Sequence, residues 1–294
     1  MNLTRLAVLV AVPAALSLAA CGGGSSGVLG NNVGTGGQTA NIRFVNGSPD
    51  LGSNIDVYLN ATGASAASAP AAPSTTNMPY GQASLFVQEP TTAYTAVVRS
   101  TGASAASAAL AGLACPIPQL STNAKYTVVI AGNGATHTCR LFQDFDYNAS
   151  GAQYRVHDAA SSLGAQIAYG TTTAGAAASY SSANAANLGT DATAPAATFT
   201  AVQPAGPIQN PATTPVFVIG TNGGASVTAT DSLSATALFA SGSLTQPNSG
   251  GSLNYPSTAG TSVFALDCTA ASVAAMSGVQ CNSGAALVGT FDTL

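Results

Sequence analysis

Charge is what this chain has least of. Only 5% of its 294 residues are Asp, Glu, Lys or Arg, six of them basic and ten acidic; it has no tryptophan and only two histidines. Each scarcity excludes something. A surface that follows a phosphate backbone needs clustered Lys and Arg, so the composition speaks against nucleic acid as a partner. The same shortage argues against electrostatic attachment to anionic lipid. Helices normally face water with Lys, Glu and Arg, so a helical protein is not expected. No run is apolar over the roughly 20 residues that a mature membrane-spanning helix needs. Reaction chemistry is equally thin. There is no Gly-x-Ser-x-Gly elbow, no HExxH and no phosphate loop. Without a CxxC pair, and with His137 and His157 as the only histidines, ligands for zinc are too few. No cofactor is expected.

What is present is small and uncharged. Ala, Gly, Ser and Thr dominate, so water-facing positions fall to hydroxyls and amides, which suits antiparallel strands. Residues 1–20 carry one positive charge, Arg5, then an apolar core from Leu6 to Leu18 broken by Pro13, and read as a signal peptide. The stretch Leu18-Ala19-Ala20-Cys21 resembles the lipobox cut by lipoprotein signal peptidase. That resemblance implies lipidation of Cys21, with each buried methylene worth about 0.8 kcal/mol, so that the N-terminal lipid anchor is the membrane attachment. In the sorting system it resembles, Asp directly after the lipidated cysteine retains a protein at the inner membrane. Here that residue is Gly22, so outer-membrane delivery is expected, facing the periplasm or the surface. After Cys21, the tether up to residue 39 is too rich in Gly, Ser, Asn and Thr to bury apolar surface, and its rms reach is on the order of 25 Å. Without residues 1–20 the balance is five basic against ten acidic residues, a net charge of −5.

The other cysteines, Cys115, Cys139, Cys268 and Cys281, are even in number, as an exported disulfide framework requires. Three pairings are possible. Their distribution favours Cys115 with Cys139 and Cys268 with Cys281, each closing a loop worth about 3 kcal/mol in the chain-entropy account.

A repeat organises the rest. Residues 42–55 align without gaps on residues 154–167, with Arg43/Arg155, Leu51/Leu163, Gly52/Gly164 and Ile55/Ile167 recurring in register. The expected organisation is a tandem pair of domains, 40–147 and 151–294. β-type runs are Ala40 to Val45, Ile55 to Leu59, Ala83 to Val87, Tyr94 to Arg99, Tyr126 to Ala131 and Thr138 to Phe142. In the second half they are Gln166 to Tyr169, Ala197 to Val202, Val216 to Ile219, Ser226 to Thr230, Ser262 to Leu266 and Ala286 to Phe291. Ala174 to Ala186 reads as a loop or short helix and Ala270 to Met276 as a helical turn or two. Six or seven short strands in about 105 residues predict a β-sandwich. The fold class expected is all-β, two immunoglobulin-like antiparallel sandwiches in tandem after a lipoprotein signal peptide and flexible linker.

The residues Ile42-Arg43-Phe44-Val45-Asn46-Gly47-Ser48-Pro49-Asp50, followed by Ile55-Asp56-Val57-Tyr58 and later by Tyr126-Thr127-Val128-Val129-Ile130-Ala131-Gly132, resemble the bacterial domain-of-unknown-function family 4397 over roughly residues 40 to 145. The resemblance implies an exported immunoglobulin-like sandwich, often in tandem and often on lipoproteins, with no established activity. In the second half Ala159-Ala160-Ser161-Ser162 replaces the Ser-Pro-Asp turn and Ile167-Ala168-Tyr169 lacks the aspartate, so that half is expected to be a diverged copy.

Few residues offer themselves as a site. Ser48-Pro49-Asp50 reads as a turn, Pro setting φ and Asp bonding a nearby amide. Asp56 falls between apolar neighbours on a strand and is expected to be solvated. Gly132-Asn133-Gly134 and Asn222-Gly223 read as hairpin turns. His157-Asp158 stands where the first half has Val45-Asn46, which favours a structural role over catalysis. Asp144-x-Asp146-x-Asn148 resembles the start of a calcium loop, but Ala149 replaces its glycine and Arg155 its bidentate glutamate, leaving only a looser calcium site as a candidate. The expected function is a non-enzymatic envelope lipoprotein, a binding, adhesive or structural module for an envelope protein or glycan. The alternatives are a carbohydrate-binding protein using Tyr58, Tyr80 and Tyr94, or an envelope hydrolase.

Overall fold

A computed structural model describes residues 37–62, 72–134, 136–147, 153–163, 167–173, 205–209, 215–222, 227–234, 260–276 and 278–293. Cys21, the tether before residue 37, Asn148, Gly164, Gly223 and the runs at 174–186 and 197–202 lie outside the described residues.

The strands are β1 (Thr39–Asn46), β2 (Ile55–Ala61), β3 (Thr75–Met78), β4 (Val87–Pro90), β5 (Tyr94–Ser100), β6 (Ala114–Ile117), β7 (Lys125–Asn133), β8 (Thr136–Asp144), β9 (Gln153–Asp158), β10 (Ile167–Thr173), β11 (Ala205–Gln209), β12 (Pro215–Asn222), β13 (Val227–Ser234), β14 (Gly260–Asp267) and β15 (Ala285–Thr293). The fold is all-β. Its one described α-helix is a single turn, Ala270–Val273, closed by a reciprocal cap between Thr269 and Ser272.

The strands form four sheets: sheet I in the order β3-β2-β5-β6, sheet II β4-β1-β7-β8, sheet III β11-β9-β14-β15 and sheet IV β10-β12-β13. Sheets II and III have the same pairing pattern. In sheet II, β1 runs antiparallel to β4 and parallel to β7, and β7 antiparallel to β8. In sheet III, β9 runs antiparallel to β11 and parallel to β14, and β14 antiparallel to β15. The register repeats as well: Arg43 stands opposite Thr127, and Arg155 opposite Ser262.

The alternation of the inner strands explains the layering. On β1, β7 and β8 one set of side chains, Ile42, Phe44, Val128, Ile130, Cys139 and Leu141, joins Ile55, Val57 and Val98 of sheet I in one apolar cluster. The alternate set, Val45, Val129, Ala131 and Phe142, joins a second cluster with Phe264, Leu266 and Val288 of sheet III. β14 is buried along its whole length, with both faces covered. Ile219 of β12 also belongs to the second cluster. Gly47 ends β1 where these layers close in, since a Cβ there would fall 2.7 Å from Leu266 Cδ2 and 2.9 Å from the carbonyl oxygen of Ile130.

Both expected disulfides are present. Cys115–Cys139 ties β6 of sheet I to β8 of sheet II, with Cα atoms 5.9 Å apart. Cys268–Cys281 ties the end of β14 to the segment before β15, at 5.8 Å. The strands expected at Ala83 to Val87 and at the hairpin are shifted. Ala83 makes only an isolated bridge to Val45, and regular pairing begins at Val87. In the hairpin the positive φ values belong to Gly132 and Gly134, because Asn133 still pairs with Thr136. Strands β3, β6 and β11 had no sequence signal. β6 carries Pro116, which a sheet tolerates at its edge, where β6 lies.

Candidate functional site

The residues that the topology brings together are those the chain has fewest of. Arg43 and Arg155, 2% and 1% exposed, meet Asp144, Asp292, His157, Ser262, Thr127 and Tyr147 between sheets II and III. Alternation along β1 puts Arg43 on the face away from Ile42 and Phe44, and that face meets sheet III instead of water.

Each half contributes the same relay. Arg43 Nε donates to Thr127 Oγ1 at 2.8 Å, and that hydroxyl donates to Asp144 Oδ2 at 2.6 Å. Arg155 Nε donates to Ser262 Oγ at 2.9 Å, and that hydroxyl donates to Asp292 Oδ2 at 2.6 Å. The relays then cross. Arg43 reaches over to Asp292 Oδ1 and to Ser262 Oγ at 2.6 Å. Arg155 Nη2 lies 3.1 Å from Asp144 Oδ2 and 2.7 Å from Asp292 Oδ2. Aromatic faces cover the cations: Arg43 sits 4.5 Å from the Phe86 ring centroid and Arg155 4.8 Å from that of Tyr147. The Tyr147 hydroxyl lies 2.8 Å from Asp292 Oδ2 and 2.7 Å from the carbonyl oxygen of Thr261.

His157 breaks the two-fold likeness. It occupies the repeat position of Val45, with Nε2 2.8 Å from Asp144 Oδ1, its ring stacked on Phe264 and edge-on to Phe142.

The charge states follow from these contacts. Burial would raise the pKa of Asp144, but His157, Arg155 and Arg43 outweigh it and hold the carboxyl far below its usual range. Asp292 is likewise lowered, burial being overcome by Arg43, Arg155 and the Ser262 hydroxyl. For His157 burial dominates and lowers the pKa despite Asp144. Two guanidiniums then balance two carboxylates around a neutral imidazole, an arrangement that desolvation makes costly to disturb.

The pH dependence has a definite sign. His157 titrates near 6.5 when unfolded and lower when folded, so the unfolded chain takes up protons first and stability falls as pH drops below about 6.5. The two aspartates are lowered from 3.8, so what they contribute is present above that pH and lost as pH falls further. Thermal unfolding followed from pH 8 to pH 3 should decline in two stages, and His157→Gln should remove the upper one. A melting temperature flat between pH 7 and pH 5 would contradict this account.

Several expected site residues lie elsewhere. The calcium candidate is corrected: the Asp144 carboxylate is taken by Arg43, Arg155 and His157, while Asp146 is exposed and paired with Lys125. No group of three or more metal-ligating side chains occurs among the described residues. Asp56 is buried, not solvated, and accepts from Asn77 N at 2.7 Å, Thr101 Oγ1 at 3.1 Å and Gly102 N at 2.9 Å. It ties strand β3 to the loop after β5, and both donating residues, Asn77 and Gly102, have positive φ. Asp50 bonds an amide remote in sequence, Gly134 N at 2.6 Å, along with His137 Nε2 at 2.9 Å. The Ser48-Pro49-Asp50 turn is thereby fastened to the β7–β8 hairpin. The three tyrosines do not share a face. Tyr58 is buried beneath Ala103, Tyr94 bonds the Pro90 carbonyl, and Tyr80 donates to the Asp267 carbonyl across the two halves.

Sequence reasoning found the recurrence of Arg43 and Arg155 but not what they bind; Thr127, Ser262 and Asp292 carried no signal of their own. The available clue was an arginine at an alternating position in a strand whose other face is core, in a chain with so few charges.

Fold and centre together define a class: an all-β protein of stacked sandwich layers joined by a buried ionic centre. Residues 40–168 match the family model described as Domain of unknown function (DUF4397), so the N-terminal part of the chain is a DUF4397-like domain. The matched span runs from β1 through β9 to the start of β10. No curated protein matches the chain. Among solved structures it is similar to one described as the crystal structure of CBMbc (family CBM26) from Eubacterium rectale Amy13K in complex with maltoheptaose. The identity is 15%, the match covers 78% of this chain and 91% of that chain, and the TM-score is 0.21.

Proposed function

We propose that this protein is a non-enzymatic cell-envelope lipoprotein, anchored in the outer membrane by an acylated Cys21 and holding a DUF4397-like sandwich and a diverged second copy away from the lipid as a binding, adhesive or structural module. The observation that carries it is the sequence Leu18-Ala19-Ala20-Cys21-Gly22, followed by a stretch rich in Gly, Ser, Asn and Thr. The fate of the ionisable groups supports it. His157, Asp144, Asp292 and two of the arginines are taken up in joining sheets II and III. Its partner is an envelope protein or a glycan.

The test is fractionation of cells expressing wild type and Cys21→Ser. Wild type is expected in the outer-membrane fraction and the variant almost entirely in the soluble one. Equal retention of both on the membrane would end this reading. Protease treatment of intact cells then separates surface exposure, which releases fragments, from a periplasmic orientation, which does not.

A further inference from the structure

The ionic centre is built so that neither half completes it alone. Within each half the Arg–hydroxyl–Asp relay is closed, with Arg43 3.5 Å from Asp144 and Arg155 2.7 Å from Asp292, yet Arg43 also contacts Asp292 of the other half and Asp144 takes Arg155 and His157 from it. Both disulfides lie within a half. Only the chain at 148–152 runs from the last residues beside β8 to β9, so the contact between sheets II and III is otherwise entirely noncovalent.

We propose that the face of sheet II bearing Arg43, Thr127 and Asp144 is a docking surface for a second β-sandwich carrying the matching Arg155, Ser262 and Asp292, and that the crossed Arg–Asp contacts are its recognition element, able to join halves that belong to different copies of the chain. Charge complementarity supports this occupant. A buried cation or carboxylate left without its partner is strongly unfavourable, so an apolar sheet face or one with a different charge pattern is rejected. The two-fold likeness of the relays makes the surface self-complementary in the manner of an isologous dimer. His157 sets the direction. A first half docked on another first half would place Val45 where His157 stands, and Asp144 Oδ1 would lose its 2.8 Å partner. First-with-second pairing is therefore favoured over first-with-first. The proposal is independent of the anchor at Cys21.

The test uses the full chain with residues 148–152 replaced by a protease recognition sequence, cut after folding. At micromolar concentration the cut protein is expected to remain one particle of the uncut mass by size exclusion with light scattering. Mixed with cut protein of heavier isotopic composition, it should exchange halves, and native mass spectrometry should find first–second pairs. Asp292→Asn is expected to weaken the association about 100-fold or more. Ser262→Ala keeps the charges balanced and removes only the shared hydroxyl, so about tenfold is expected. Far-UV circular dichroism and intact disulfides establish that each variant has folded; if Asp292→Asn has not, Ser262→Ala decides. The proposal is overturned if the cut halves separate at micromolar concentration, if cutting abolishes the β signal, if the folded variants bind within about threefold of wild type, or if first–first pairs form as readily as first–second pairs.

Discussion

Asp144→Asn is expected to lower the unfolding free energy by about 3–5 kcal/mol, the usual cost of removing one partner from a buried ion pair. The carboxylate accepts from Thr127, lies against Arg43 and Arg155, and bonds His157. The amide that replaces it neutralises the charge, leaves two guanidiniums facing Asp292 alone, and turns an N–H toward a donor. Urea unfolding followed by circular dichroism measures the effect. The contrast that isolates the cause is an apolar replacement of the whole set, Arg43, Arg155, Asp144 and Asp292 together, by residues of similar volume. That variant should lose less than Asp144→Asn, because it strands no buried charge. If Asp144→Asn costs under about 1 kcal/mol, the centre is not holding the layers.

Removing the first disulfide should be nearly as severe. Cys115 and Cys139 are 24 residues apart, and a loop of that length is worth about 3.5 kcal/mol in the chain-entropy account. The double variant Cys115→Ser, Cys139→Ser also places two hydroxyls in the apolar cluster between sheets I and II, which adds to the loss. Cys268→Ser with Cys281→Ser opens a shorter loop, 13 residues apart, whose Cys281 is only partly buried, and should cost less. The ranking is read from urea midpoints at constant slope; an equal or reversed order would place the stabilisation elsewhere.

How far the sequence led depends on the layer. Strands with strong β-type runs, β1, β2, β5, β7, β8, β14 and β15, were legible because their side-chain period survives any tertiary context. β3, Thr75–Met78, and β6, with its proline, were not, since edge pairing asks little of the side chains. Asp56 was misread for a related reason. Alternation placed it correctly on the face away from Ile55 and Val57, but a face away from one core is not always water, and here Asn77 of β3 and the loop at Gly102 cover it. The centre was legible only as the recurrence of Arg43 and Arg155.

By itself the sequence determined the all-β class, the disulfide pairing favoured by cysteine spacing, and the internal repeat, because composition, period and spacing are local properties of the chain. Tertiary structure alone decided that the far faces of β1 and β9 meet each other, and so that the scarce charges lie inside. Complementarity between Arg43 and Asp292, 249 residues apart, exists only once two sheets are stacked, and no local pattern encodes which surface will cover which.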